Sequence, residues 1–259
     1  MSLESLCDLF FEFSNEDRLR MLRRLQYDNL TVTALSKELD LTTQETSRHL
    51  SRLGETGLTI KNPNGTHSLT GYGELSLKQI NGFMFTSSQN EYFQNHDLSN
   101  IPEEFVSRIG ELNGSRYIDD IMVIFHLIEE LGRESEEYIY RLTDRYILTA
   151  IPAWEMALKR GVDFKLLEPE NIVVPPEFDR GPVIRDSVIK RQFKIRVIEK
   201  VNVFMALNEK KVAAISFPTN EGRMDYRGFV SEDKAVHKWA KDLFEYYWAK
   251  SKPKDVSGE

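Results

Sequence analysis

The apolar positions of the first 60 residues recur at helical spacing and then give way to short extended runs. In LESLCDLFFEF the apolar residues at 3, 6, 9, 10 and 13 form one stripe, which predicts a first helix. Ser14, with Asp17 three residues on, predicts the cap of a second helix through SNEDRLRMLRRL. There Leu19, Leu22 and Leu25 face a core, while Arg18, Arg20, Arg23 and Arg24 occupy the other faces and are expected to be mostly solvated. A short third helix, TALSKELDL, has Thr33 as its expected cap and turns Leu35 and Leu39 inward. Thr42 or Thr43 caps a fourth, QETSRHLSRLGETG, which holds Thr46, Leu50 and Leu53 on one side and ends at Gly57. Its other side offers Gln44, Ser47, Arg48, Ser51 and Arg52. Two extended runs then flank Asn64-Gly65, a dipeptide suited to a tight hairpin because both residues tolerate positive φ.

From Gly73 to about Phe93 the pattern is helical again and unusually apolar, as expected of a linker helix or a dimer seam. HDLSNIPEEF marks a boundary. Beyond it DDIMVIFHLIEELGR reads as helix, EEYIYRLTD as strand, IPAWEMALKRG as helix ended by Gly161, and VDFKLLEP as buried strand. After a loop around Pro175 and Pro176 come four extended runs, FKIRVIEK, VNVFMALNE, KVAAISFPT and DYRGFVSE. The chain closes with an aromatic-rich helix, DKAVHKWAKDLFEYYWAK, and SKPKDVSGE reads as a frayed tail. The expected fold class is α+β: a winged helix-turn-helix over 1–72, a linker or dimerisation helix over 73–104, and an effector-binding or oligomerisation α/β domain over 105–252.

The length, 259 residues, exceeds the usual single-domain range of about 100 to 150 and so supports two domains. A formal net charge of -7 argues against general affinity for nucleic acid. It leaves open binding through one small positive face, because local charge sets the field at a site. No run approaches the roughly 20 apolar residues of a membrane span. The N-terminal stretch carries acids where a secretory signal carries Lys or Arg, so the expectation is a cytoplasmic protein without membrane contact. The single cysteine, Cys7, cannot form an internal disulfide, and with no His or Asp at ligand spacing it is expected to be a small buried hydrophobe. Nothing in the chain calls for a metal or a cofactor.

The order helix, turn, helix, Gly-bounded hairpin is that of a winged helix-turn-helix, whose second helix enters the major groove of double-stranded DNA. From residue 15 to about 75 the chain resembles the ArsR-like and MarR-like regulators of archaea and bacteria, through Leu35, Ser36, Leu39, Ser47, Arg48, His49, Leu50, Leu53, Gly57 and Leu58. The resemblance implies a homodimer on an inverted repeat, with Gln44 to Glu55 in the major groove and the wing around Asn64 on the backbone. Gln44 suits a bidentate contact to adenine, Arg48 a guanine or a phosphate, and Thr43 and Ser47 either base. Arg52, Lys61 and His67 are the expected phosphate contacts. Glu45 and Glu55 on the same helix keep a second reading open, a protein-docking or assembly module.

From about 115 to 250 the chain resembles the effector domains of archaeal TrmB-type regulators and of the methanogenesis regulatory protein middle domain. The carrying phrases are AWEMALKRGVDFKLLEP and GFVSEDKAVHKWAKDLFEYYW. These domains are similar to half of a phospholipase D fold, here a degenerate one, since its His-x-Lys chemistry has no match: His237-Lys238 has the wrong spacing. An enzyme is therefore not expected, and a phosphodiesterase is the third reading. By analogy with metabolite sensors, Arg145, Arg196, Asn208, Tyr226, Arg227 and Trp239 are candidate ligand contacts, each also readable as ordinary packing or surface. Lys190, Arg191, Lys194, Arg196 and Lys200 are expected to share one strand face, either solvated or facing an anionic effector. Trp239, Phe244, Tyr246, Tyr247 and Trp248 are too dense for a fully wet surface, so core packing and a dimer contact are both readings.

Overall fold

The computed structural model describes residues 3–172 and 181–254. The expected loop around Pro175 and Pro176 and the last five residues of the expected tail lie outside them. The chain divides into two compact units, Met1–Asn81 and Gly82–Glu259.

The first unit contains α1 (Leu3–Phe13), α2 (Glu16–Leu25), α3 (Val32–Leu39), α4 (Thr43–Glu55), β1 (Thr59–Lys61) and β2 (His67–Leu69). The helix α5 (Gly71–Ser88) begins in this unit and ends in the next. Met21, Leu22, Leu35, Leu50, Leu53 and Leu58 are almost fully buried, which accounts for the helical spacing of apolar residues in α2, α3 and α4. Two caps differ from expectation. Asn15, not Ser14, accepts from the Arg18 N–H and starts α2, while the Ser14 hydroxyl donates backwards to the Phe11 carbonyl at 2.8 Å. Thr31, not Thr33, starts α3 by accepting from the Ala34 N–H. Thr42 caps α4 through a full capping box with Glu45.

The strands β1 and β2 pair from Thr59↔Leu69 to Lys61↔His67, so the wing turn spans 62–66 and is longer than a two-residue turn. Only Gly65 adopts positive φ there, at 85°, and the Asn64 side chain accepts from the Thr66 N–H. Gly73 is required by close approach, since a Cβ would strike the Leu58 carbonyl. The helix α5 thus starts tight against the segment that follows α4.

The second unit adds α6 (Asn90–Asn95), α7 (Glu103–Val106), β3 (Arg116–Ile118), α8 (Ile121–Glu134), β4 (Tyr138–Leu142), α9 (Ile151–Lys159), β5 (Asp163–Pro169) and α10 (Gly181–Ile189). It continues with β6 (Phe193–Ile198), β7 (Phe204–Asn208), β8 (Val212–Ser216), β9 (Gly228–Ser231), α11 (Lys234–Lys250) and β10 (Lys252–Pro253). Among the described residues one sheet of eight strands runs in the order β10-β6-β5-β4-β7-β8-β9-β3. The contacts β4 to β5 and β5 to β6 are parallel, and all the others are antiparallel.

Strand periodicity divides the side chains of this sheet between two cores. Ile139, Phe164, Leu166, Phe193, Ile195, Phe204 and Ala206 pack with Ile128 of α8, Trp154 of α9 and Ile184 of α10. Tyr140, Leu142, Leu167, Met205 and Leu207 pack with Trp239, Leu243 and Phe244 of α11 and with Phe105 of α7. The fold is thus mixed α+β, with a helical N-terminal unit and a sheet covered by helices on both faces.

Several expectations change here. The helix expected to run to Phe93 breaks at Gln89 between α5 and α6. The strands β3 and β10 and the helix α10 carry no strong periodic signal, and Lys252 and Pro253 of the expected tail extend the sheet. Trp239 and Phe244 are fully buried, and Tyr246, Tyr247 and Trp248 are partly buried against the same core, so the fold itself engages all five aromatics. Cys7 is exposed, contrary to the expected buried hydrophobe, because it lies off the buried side of α1. Among the described residues no helix is long and apolar enough to cross a membrane.

Candidate nucleic-acid interface

The helix α4 sorts its residues by face. Thr46, Leu50 and Leu53 point into the core, while Thr43, Gln44, Ser47, Arg48, Ser51, Arg52 and Glu55 are exposed. The side chains of Gln44, Ser47 and Arg48 make no hydrogen bond and no ion pair among the described residues, and neither does the exposed Lys61 on β1. An open depression of about 780 Å³ runs along this surface, lined by Phe11, Arg18, Gln44, Ser47, Arg48 and Arg52. Its composition suits a polar, anionic surface better than an apolar one.

The N-terminus of α4 is fixed by Glu45, whose carboxylate accepts from the Thr42 hydroxyl at 2.7 Å and from the Thr42 N–H at 3.2 Å. The Thr42 hydroxyl bond, and then the backbone bond, hold the Glu45 carboxyl below its ordinary range. This acid, which in the sequence weakens the case for DNA, is therefore occupied in the helix cap. Burial, and then the neighbouring Arg48 charge, lower the pKa of His49, which favours its neutral form beside the exposed row.

Arg52 is placed differently from the expected phosphate contact. Its guanidinium grips the Glu12 carboxylate, with Nη2 to Oε1 at 2.8 Å and Nε to Oε1 at 2.9 Å. It also lies 4.9 Å from the centre of the Phe11 ring. The Glu12 carboxylate is buried and meets a second arginine, Arg18, at 3.0 Å. Arg18 is itself buried, contrary to its expected solvation, because it also donates to the carbonyls of Phe11 and Glu12 at the end of α1. One carboxylate thus ties α1 to both α2 and α4, a role that a lone Glu in an apolar stripe does not announce.

His67 also departs from expectation. It is 9% exposed, and its backbone bridges to Leu30 through His67 N–H to Leu30 O at 2.7 Å and Leu30 N–H to His67 O at 3.2 Å. Burial first, and then Lys61, lower its pKa. Asn64 is exposed at the wing tip, with its side chain folded back on Thr66 through two hydrogen bonds.

The six candidate ligand contacts in the second unit do not converge on one pocket. Trp239 and Asn208 are fully buried: the Trp239 indole donates to the Phe105 carbonyl, and the Asn208 amide oxygen accepts from the N–H groups of Lys210 and Lys211 to close the β7–β8 turn. Tyr226, at φ 63°, donates to the Asp144 carboxylate at 2.9 Å, and Arg145 lies 4.2 Å from its ring centre, so this pair does come together. Arg227 is exposed and 3.9 Å from Asp225. Arg196 is elsewhere, over the Trp248 ring and donating to the Ser251 carbonyl. Of the basic run only Lys194 and Arg196 share a face of β6: Lys190 and Arg191 follow α10, Arg191 turns at φ 60°, and Lys200 lies beyond the strand.

Two family models match the chain. Residues 15–61 match the bacterial regulatory protein arsR family, and residues 122–250 match the methanogenesis regulatory protein FilR1, middle domain. No curated protein matches the chain. Among solved structures, that of the archaeal chromatin protein TrmBL2 is 17% identical, with 93% of this chain and 94% of that one covered and a TM-score of 0.45. An ArsR family transcriptional regulator, RHA00566, is 19% identical over 38% of this chain and 98% of its own, with a TM-score of 0.27. The phospholipase D family member Nuc from Salmonella typhimurium is 10% identical over 50% of this chain and 89% of its own, with a TM-score of 0.34. On its two family matches, the chain is a DNA-binding transcription regulator with an ArsR-type winged helix-turn-helix at its N-terminus and a domain of the FilR1 middle-domain type at its C-terminus.

Proposed function

We propose that the protein is a sequence-specific regulator that binds double-stranded DNA as a homodimer and takes a small-molecule effector in its second unit. The observation that carries the reading is the row Gln44, Ser47 and Arg48, exposed and unengaged on a helix whose opposite face is locked into the core. Gln44 is assigned to an adenine edge, Arg48 to guanine or phosphate, and Thr43 and Ser47 to adjoining polar contacts. Lys61, exposed on β1, supplies a backbone contact, with Asn64 at the wing tip beside it. Arg52 acts first as an anchor, and reaches phosphate only with the edge that Glu12 leaves open. The reading involves binding and no catalytic step, and it places the protein in the cytoplasm with the DNA it binds.

Dimerisation is supported by apolar side chains left at the surface of two helices, Leu3 and Leu6 on α1 and Tyr72 and Leu75 on α5. These four are 46% to 75% exposed. Pairing two copies also doubles a sparse set of cations. With Arg48 and Lys61 as the phosphate contacts, a dimer neutralises about four phosphates, which gives a slope of about -4 for log affinity against log salt. The test measures anisotropy of labelled operator fragments, selected by genome-wide mapping of bound sites, across salt concentrations. Gln44→Ala with Arg48→Ala removes selective binding if the reading holds, and unchanged occupancy overturns it.

The engagement of Arg52 by Glu12 and the burial of His67 favour a second reading, a docking surface for another protein, because they withdraw two of the expected phosphate contacts. That reading requires a salt slope near zero in the same titration.

A further inference from the structure

Arg141, on β4, is 1% exposed, which is unusual for an arginine. It shares its sheet face with Ile139, under the α8, α9 and α10 layer. No group of the protein among the described residues accepts from its Nε or its Nη2, the two atoms that form the side-on fork of a guanidinium. Its charge centre lies 4.5 Å from the centre of the Trp154 ring, and the indole Nε1 of Trp154 is likewise buried without an acceptor. Both residues line one narrow cavity with Thr143, Tyr146, Phe164 and Phe193.

The nearby carboxylates are already engaged. Glu168, fully buried, accepts from the Tyr146 hydroxyl at 3.0 Å and from Lys254 Nζ at 2.6 Å. Asp144 accepts from the Tyr226 hydroxyl. Burial lowers the Arg141 pKa to about 9, so the group stays charged at neutral pH with only an aromatic face against it. A buried charge of this kind is strongly unfavourable unless paired, and an aromatic face offsets only part of the desolvation. An arginine fork pairs best with two oxygens in one plane. The cavity leaves about 10 Å³, enough for one water molecule or for the oxygens of a small head group.

We propose that Arg141 and Trp154 form a binding site for the carboxylate group of a small organic acid, with the Arg141 fork on the two oxygens and the Trp154 indole donating to one of them. The proposal deepens the effector reading above by naming a site and a ligand class, and as a regulatory statement it rests on that reading. None of the six residues expected from sequence belongs to this site.

The test uses the full chain without DNA. Thermal unfolding and titration calorimetry are run with formate and acetate, and with inorganic phosphate and chloride at the same ionic strength. The expected result is saturable binding of a carboxylate, with Tm raised by about 5 °C at a concentration 100-fold above Kd. Arg141→Met weakens that binding on the order of 100-fold, while its own Tm in carboxylate-free buffer is equal to or above that of the parent. Trp154→Phe keeps the ring, removes the indole donor and weakens binding about tenfold, so the proposal is tested even if Arg141→Met does not fold. Saturation by phosphate or chloride alone overturns the carboxylate assignment. Absence of saturation by any of the four, or equal effects in the variants, overturns the site. Carboxylate binding with no effect on operator affinity would sustain the site and remove its regulatory role, so the two failures are distinguishable.

Discussion

Arg48 and Arg141 are chemically the same side chain in opposite surroundings. Arg48 stands in water on α4, where an unpaired guanidinium is fully solvated and its availability costs nothing. Arg141 stands beneath a helical layer, where the same lack of a partner is costly and calls for an explanation. The first unit adds an intermediate case, Arg52, half exposed and tied to a buried acid. A free cation is therefore informative in proportion to its burial, and a paired one is informative about architecture before function.

The comparison is broken most sharply at Glu12. Replacing it with Gln leaves Arg18 buried without its counter-ion and frees Arg52, so we expect a loss of about 3 to 5 kcal/mol, read as a lower denaturation midpoint. If the loss is below about 1 kcal/mol, the Glu12 cluster is a surface pair in effect and the contrast with Arg48 fails. The next effect is at the exposed row. Gln44→Ala and Arg48→Ala are each expected to cost about 1 to 3 kcal/mol of discrimination between operator and random DNA, with stability unchanged, as measured by competition binding and thermal unfolding. Lys61→Ala should weaken binding to all sequences alike and reduce the salt slope by about 1.

Smaller effects sharpen the picture of how α4 is held. Thr42→Ala removes the capping box and should cost about 1 kcal/mol of stability, checked by chemical denaturation. His67 sets the smallest and makes it depend on pH. Its folded pKa lies below the unfolded value of about 6.5, so the unfolded chain binds the extra proton first. Stability is therefore complete above about pH 6.5 and declines as pH falls toward the folded value. His67→Gln should flatten that decline in Tm measured between pH 7.5 and 5, and an unchanged slope would place the titration elsewhere, with His49 the next candidate.

The winged-helix unit was largely legible because its residues interact with near neighbours. Helical spacing separated Thr46, Leu50 and Leu53 from Gln44, Ser47 and Arg48, and Gly57 adopts φ 74° just past the end of α4. The cap positions moved by one or two residues, since Ser, Thr and Asn compete locally for the same N–H groups. The second unit was legible in its long periodic elements and opaque in its shorter ones, such as β3, β10 and α10. Its candidate ligand residues were chosen by polarity and by expected strand ends. Asn208 and Trp239 instead satisfy each other's surroundings in the core, where their polar atoms find backbone partners.

Sequence by itself determined the order of elements, the two-part organisation, the face of α4 that meets solvent and the mixed α+β class. Those follow from periodicity and turn chemistry, which act over a few residues. Only the tertiary structure decided which charges are spoken for. Glu12 meets Arg18 and Arg52 across 6 and 40 positions, and Lys254 reaches Glu168 across 86. Arg141 acquires its meaning from the elements that bury it and from the acceptors that do not reach it. Charge pairing is a matter of distance in space and of desolvation, and neither quantity is written in the spacing of residues along a chain.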